Sequence, residues 1–195
     1  DAQTQQALAA TNEWLYEIAW QPQPRPVTAS QSTPNPSTGA AQWLILADQG
    51  GVGQALAEHL QRQGQRSQLV YALPTADDFA KLLRSLPGDL PLRGVVDLWA
   101  LDAPATGELT GAALEVAQQR GCGALLWLVQ ALNANPALQK QAKLWIVTRG
   151  SQKVMPQSSD LALAQAPLWG FGRVLALEHP ELFGGQIDLG PATLQ

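Results

Sequence analysis

The residues of this chain that could do chemistry gather first in WLILADQGGVGQALAEHL, residues 43–60, where Gly50, Gly51 and Gly53 separate an apolar run from a helix-like stripe. A glycine-rich turn between a buried strand and a helix start lets the backbone approach a pyrophosphate, and the helix N-terminus offers free N–H groups to it. The fingerprint is incomplete. Ala55, Leu56 and Ala57 stand where a third glycine would open the helix. The next strand ends Tyr71-Ala72-Leu73-Pro74, with neither an acid for a ribose hydroxyl nor a base for a 2′-phosphate. The three glycines therefore read as a fold-determining turn, a degenerate dinucleotide site, and this chain is expected to bind no cofactor.

Carbonyl reduction would need a tyrosine four residues before a lysine that depresses its pKa, with a serine on the adjacent strand. Tyr16 and Tyr71 are the only tyrosines, and Trp20 and Thr75 stand four residues after them. Thr148-Arg149-Gly150-Ser151 could supply the serine, but no tyrosine lies downstream. No catalytic residue is assigned. His59 and His179 are the only histidines, read as a boundary residue and a helix C-terminal residue before Pro180. Cys122, the single cysteine, lies between glycines with no nearby base to make a thiolate. Asp48 and Asp97 read as strand-end caps, and Asp48, beside the glycine turn, is the one acid worth testing. The seven tryptophans read as core and interface anchors. No metal site is expected.

Composition narrows the function classes further. The 195 residues are 46% hydrophobic and 14% charged, with net charge −4, which fits one globular domain with a substantial core. Only 12 residues are Lys or Arg, and they form no basic stripe, so a nucleic-acid partner is not expected. The longest apolar runs, such as GALLWLVQAL, fall short of the roughly 20 residues that span a bilayer. DAQTQQALAATNE lacks a basic stretch followed by an apolar one, so no signal peptide is read there. One cysteine suits a reducing, cytoplasmic setting.

The elements that must position these residues follow from periodicity. Residues 1–41 divide into an Ala/Gln-rich linker helix, an alternating strand LYEIAW over 15–20, and a Pro-rich connector that could span up to about 70 Å at roughly 3.3 Å per residue. Residues 42–190 alternate strand and helix. Strands are expected at 43–47, 68–73, 94–101, 143–148 and 184–190. Helices are expected over 52–63, from Asp77 or Asp78 to Leu86, from Thr110 towards Asn135 across Gly121 and Gly123, and from Pro167 through Glu178. Leu114 on the third helix, and Val174 and Leu177 on the fourth, are expected to point inward. This pattern predicts an α/β fold, a doubly wound parallel sheet of Rossmann type. Residues 191–195 begin a linker.

Three phrases carry a resemblance. LYEIAWQP at 15–22, KLWIVTRGSQKV at 143–154 and AQAPLWGFGRVLALEHPELFGGQIDLG at 164–190 resemble the N-terminal structural subdomain of modular polyketide synthase ketoreductases, in order and over nearly the whole chain. The resemblance implies a truncated, short-chain dehydrogenase/reductase-like Rossmann unit that has lost cofactor binding and catalysis. NADPH and the Ser/Tyr/Lys set would belong to a second, catalytic half of the same polypeptide, which this chain would stabilise. The LYEIAW strand would reach across to that half, and a C-methyltransferase or enoylreductase domain can stand between the two. None of the family's catalytic residues maps onto this sequence. The rival reading is a stand-alone NADP- or nucleotide-binding Rossmann oxidoreductase.

Overall fold

The continuous apolar runs become strands of one parallel sheet. In a computed structural model, residues 19–23, 39–72, 75–154 and 161–190 are described. The strands are β1 (Gln42–Leu46), β2 (Arg66–Val70), β3 (Leu92–Asp97), β4 (Lys143–Arg149) and β5 (Phe183–Leu189). Their order is β2-β1-β3-β4-β5, and each pairing is parallel. The chain winds outward from β1 to β2, then back past β1 to β3. That reversal opens a crevice at the carboxyl ends of β1 and β3, the place where doubly wound sheets bind ligands.

The helices are α1 (Val52–Arg62), α2 (Ala76–Ser85), α3 (Gly111–Gln118), α4 (Ala124–Asn133), α5 (Pro136–Gln141) and α6 (Pro167–Glu178). On one face of the sheet, Leu44, Leu46, Val95, Leu144 and Ile146 meet Phe79 and Leu83 of α2, Leu125 and Leu128 of α4, and Leu168 and Leu175 of α6. Each such fully buried side chain contributes about 1.5–3 kcal/mol. On the other face, Ile45, Ala47, Val96 and Val147 meet Ala57 and Leu60 of α1. The period-2 alternation of β1 thus feeds two cores.

Several sequence expectations need correction. The long helix from Thr110 is divided: a π-helical segment, Gln119–Gly123, joins α3 to α4. Within it Gly121 faces α6, where a Cβ would lie 3.6 Å from Leu168, so the register change seats one helix on the other. Leu114 is exposed, because α3 buries no residue. Val174 and Leu177 point outward, not inward: helical spacing from Leu168 to Gly172 and Leu175 places them on the opposite side. The third strand stops at Asp97, and Trp99–Asp102 forms a 3-10 turn. The second strand ends at Val70, leaving Tyr71 exposed. Thr75, not Asp77 or Asp78, is the cap position of α2, and both acids lie in its first turn. The short helix α5 was not expected; Asn135 caps it through a bond from the Leu138 N–H, with Pro136 opening its first turn.

The expected linker helix, most of the LYEIAW strand, the Pro-rich connector and the terminal linker lie outside the described residues. Ala19 and Trp20, at the end of the expected strand, are exposed and outside regular secondary structure. Trp20 packs edge-on against Trp169 at 5.7 Å between ring centroids.

Candidate functional site

The crevice at the ends of β1 and β3 is where the glycine turn must be judged. After Ala47 the chain passes Asp48, Gln49 and Gly50 and reaches Gly51, whose φ of 90° is left-handed and favours glycine. Gly53 then lies against β1: a Cβ there would stand 2.9 Å from the Ala47 Cβ and 3.3 Å from the Ile45 Cγ2. Close helix–strand packing is the task of the third glycine in a dinucleotide fingerprint. Gly53 performs it, so the expectation that this glycine is missing is corrected.

What differs is the space above the turn. A Cβ on Gly50 would come 2.9 Å from the Asp48 Oδ2, because the Asp48 side chain folds back over the loop. Asp48 is only 2% exposed. Its Oδ1 accepts the Gly53 N–H at 2.7 Å and its Oδ2 accepts the Val52 N–H at 3.2 Å. These are amides that a helix N-terminus offers to a phosphate. The chain's own carboxylate has taken them.

The other wall of the crevice is tied to the same loop. Asp102, at the end of the 3-10 turn after β3, accepts the Gln49 N–H at Oδ1 and the Arg120 Nη2 at Oδ2, each at 2.7 Å. Arg120 also donates to the Tyr71 carbonyl at 3.3 Å, and its guanidinium lies 6.0 Å from the centre of the Trp99 ring. Trp99 is buried between these groups and Phe79, 6.0 Å away, with its indole N–H donated to the Val70 carbonyl at 2.9 Å. The end of β2 is where a dinucleotide's ribose is held. Here Trp99 and Arg120 occupy its carbonyls.

Sequence reasoning singled out Asp48 but missed Trp99, Asp102 and Arg120. Trp99 was read as strand, and the 18-residue separation of Asp102 from Arg120 carries no local signal. Asp97 does cap the end of its strand: its Oδ1 accepts the Trp99 N–H at 3.2 Å. Its Oδ2 is buried with no partner among the described residues, and burial pushes the carboxyl pKa up to about 7.

The place of the expected serine is also structural in its contacts. Thr148 and Ser151 both donate to the Asp188 Oδ1, at 2.7 and 3.0 Å. The Trp169 indole N–H lies 2.8 Å from the Ser151 Oγ and 3.0 Å from the Thr148 Oγ1. The hydroxyls are thus turned into a network that fastens β4, β5 and α6. Neither tyrosine is in it among the described residues, Tyr16 lying outside them.

His59 is exposed and bonds Gln63, four residues on along α1, whereas His179 follows α6 and bonds Asn133 and Glu181. Burial pushes the Cys122 thiol up, and the nearby Asp97 adds to the shift. That thiol lines an open, largely apolar cavity of about 330 Å³ together with Trp99, Val116, Arg120 and Leu168. Among the described residues no cluster of three or more His, Cys, Asp or Glu could hold a metal ion. No helix among them is long and apolar enough to cross a membrane.

Comparison with known proteins gives this geometry a context. Residues 18–193 match the family model described as polyketide synthase extender module SpnB, Rossmann fold domain. The polyketide synthase GfsB of Streptomyces halstedii is 33% identical over 204 residues, which cover 93% of this chain and 3% of the relative. A solved C2-type ketoreductase from a modular polyketide synthase is 30% identical with a TM-score of 0.60, covering 80% of this chain and 33% of that one. The oxidoreductase yciK from E. coli, 16% identical with a TM-score of 0.58, shares the fold, covering 77% of this chain and 76% of that one. The chain therefore spans a small part of the polyketide synthase it matches and a third of the ketoreductase.

Proposed function

The chain belongs to the family of Rossmann-fold domains of polyketide synthase extender modules, and from that premise we propose that it is the noncatalytic, structural half of a ketoreductase. Its fold is a short-chain dehydrogenase/reductase-like sheet cut down to five parallel strands. In this reading a second half of the same polypeptide binds NADPH and reduces β-ketoacyl intermediates carried on an acyl carrier protein. This half binds no cofactor and holds the other in shape.

The observation that carries the reading is the Asp48 carboxylate on the Val52 and Gly53 amides. A pyrophosphate would have to displace a buried, doubly bonded side chain and bring its own negative charge beside it. Two anions sharing one helix start repel, so dinucleotide binding is opposed twice.

Titrating the chain with NADPH and following nicotinamide fluorescence tests this. No saturable binding is expected up to millimolar concentration. Micromolar binding that Gly51→Asp abolishes would instead make the chain a nucleotide-binding oxidoreductase. The supporting role is tested by producing the parent ketoreductase with and without residues 1–195. Loss of soluble, NADPH-reducing protein on deletion is expected; full activity without this half would refute it.

A further inference from the structure

The corner where β4, β5 and α6 meet grips an indole ring by its nitrogen edge. Asp188 of β5 accepts the hydroxyls of Thr148 and Ser151 at Oδ1, and its two oxygens accept the Ser151 and Gln152 N–H groups at 3.1 and 3.0 Å. With both hydroxyl protons directed to the carboxylate, the hydroxyl lone pairs are left for the Trp169 N–H, which lies 2.8 Å from the Ser151 Oγ and 3.0 Å from the Thr148 Oγ1. Thr148 and Ser151 are buried, whereas Trp169 is half-buried. A buried polar network thus fixes the rotation of a ring that lies partly outside it.

The same corner has the layout of a carbonyl-reducing site with two side chains exchanged. Ser151 follows β4, Trp169 reaches it from the next helix, and Arg173 stands four residues beyond Trp169, where the chemistry would need Tyr and then Lys. An indole N–H donates a hydrogen bond but gives up no proton near neutral pH, and here it is directed at Ser151. The corner therefore cannot protonate a ketone. What it presents instead is the Trp169 ring, and Trp20 stands on it with centroids 5.7 Å apart and an interplanar angle of 89°. That edge-to-face arrangement is one that aromatic pairs favour. Among the described residues no hydrogen bond joins residues 19–23 to the sheet or its helices, and the ring pair is their aromatic tie to the fold.

We propose that Trp169, oriented by Ser151, Thr148 and Asp188, is the seat on which Trp20 anchors the segment of this chain that precedes β1. The occupant is residue 20 of the same molecule, so the point from which the N-terminal segment leaves the fold is set at the β4–β5–α6 corner. Trp169 is then a positioning residue in the place where a reductase would carry its proton donor. The assignment goes beyond the structural-half reading and does not depend on it, because both rings belong to this chain.

The test uses the full parent polypeptide. With photo-crosslinking benzoylphenylalanine in place of Trp20, irradiation is expected to join residue 20 to the tryptic peptide 154–173 of the same molecule, which contains Trp169, as identified by mass spectrometry. Trp20→Ala is expected to raise thermolysin cleavage on the N-terminal side of Leu15 and Ile18 by roughly two- to tenfold, the factor that loss of an aromatic pair gives when cleavage follows the open population. Its melting temperature is expected to stay unchanged, since Trp20 lies outside the two cores. Trp20→Phe keeps a ring on Trp169 and is expected to be cleaved at close to the wild-type rate. If Trp169 only fastens β4, β5 and α6, Trp20→Ala is cleaved like the wild type. That result, crosslinks confined to other peptides, or equal cleavage of the Phe and Ala variants would overturn the assignment.

Discussion

The Asp48 Oδ1 lies 2.7 Å from the Gly53 nitrogen, so the side chain that leaves β1 caps the helix that follows it. The residue at the formal cap position, Gly51, has no side chain to do this. Its left-handed φ turns the loop so that a residue three positions earlier reaches the free amides. One geometric requirement, a tight turn, thus produces both a helix start and a carboxylate bonded to its first amides. Asp102 on the Gln49 amide then pins the second wall to the first.

Replacing Asp48 by Ala should separate the two roles. Loss of the cap is expected to cost about 1–2 kcal/mol, read as a lower urea midpoint. With the amides freed, sulfate or phosphate should stabilise the variant more than the wild type, because only the variant offers an empty helix start. Equal anion effects on both proteins would show that the carboxylate does not occupy the anion site.

Trp99 ties the crevice to β2, and its contribution divides into hydrogen bond and packing. Trp99→Phe keeps most of the ring but removes the indole N–H bond to the Val70 carbonyl, which still accepts the Ala47 N–H at 2.8 Å, so the expected loss is that of one net hydrogen bond, roughly 0.5–1.5 kcal/mol. Trp99→Ala also removes contact with Phe79 and the Arg120 guanidinium and should cost about 3–5 kcal/mol. Equilibrium unfolding of the two variants checks the order; equal losses would mean that the ring contributes nothing beyond its N–H.

Legibility followed range along the chain. The runs WLIL and KLWIV announced β1 and β4, and Pro167 opened α6 at the position expected, because apolar continuity and a proline act over a few residues. The glycine turn was legible as a turn, and Asp48 as its notable acid. The meaning of Gly53 was not, since its packing against Ala47 appears only when helix and strand are laid together. Val174 and Leu177 were read inward because a sequence shows which residues are apolar, not which apolar face the sheet takes. The Asp102–Arg120 pair joins separate elements and leaves no spacing signature.

Asp97 makes stability depend on pH. Its folded pKa, pushed up to about 7 by burial, lies above the ordinary aspartate value of 3.8, so the folded state holds a proton that the unfolded state has lost in that interval. Stability should therefore fall as pH rises from about 4 to about 7, by up to roughly 1.4 kcal/mol per unit, and level off above. The carboxylates whose pKa is lowered, Asp78, Asp89 and Glu181, act in the opposite sense and only in more acid solution. Asp97→Asn should flatten the profile between pH 4 and 7. A variant that retains the wild-type slope in denaturant melts would assign it to other groups.

Gly53 and Gly107 offer a matched comparison of packing against backbone freedom. A methyl at 53 would enter the space of the Ala47 Cβ at 2.9 Å and approach the Ala47 Cα at 3.1 Å, where the neighbour is backbone and cannot swing away. Gly53→Ala should therefore push α1 off β1 and cost about 1–3 kcal/mol, the usual range for overpacking. A methyl at Gly107 would meet nothing within 4 Å. Gly107→Ala should leave the denaturation midpoint unchanged or raise it slightly, since alanine restricts the unfolded chain more than glycine does. If both substitutions destabilise alike, the close approach of α1 to β1 is not what requires glycine at 53; if only Gly53→Ala does, the glycine is there because α1 packs directly on the Ala47 backbone.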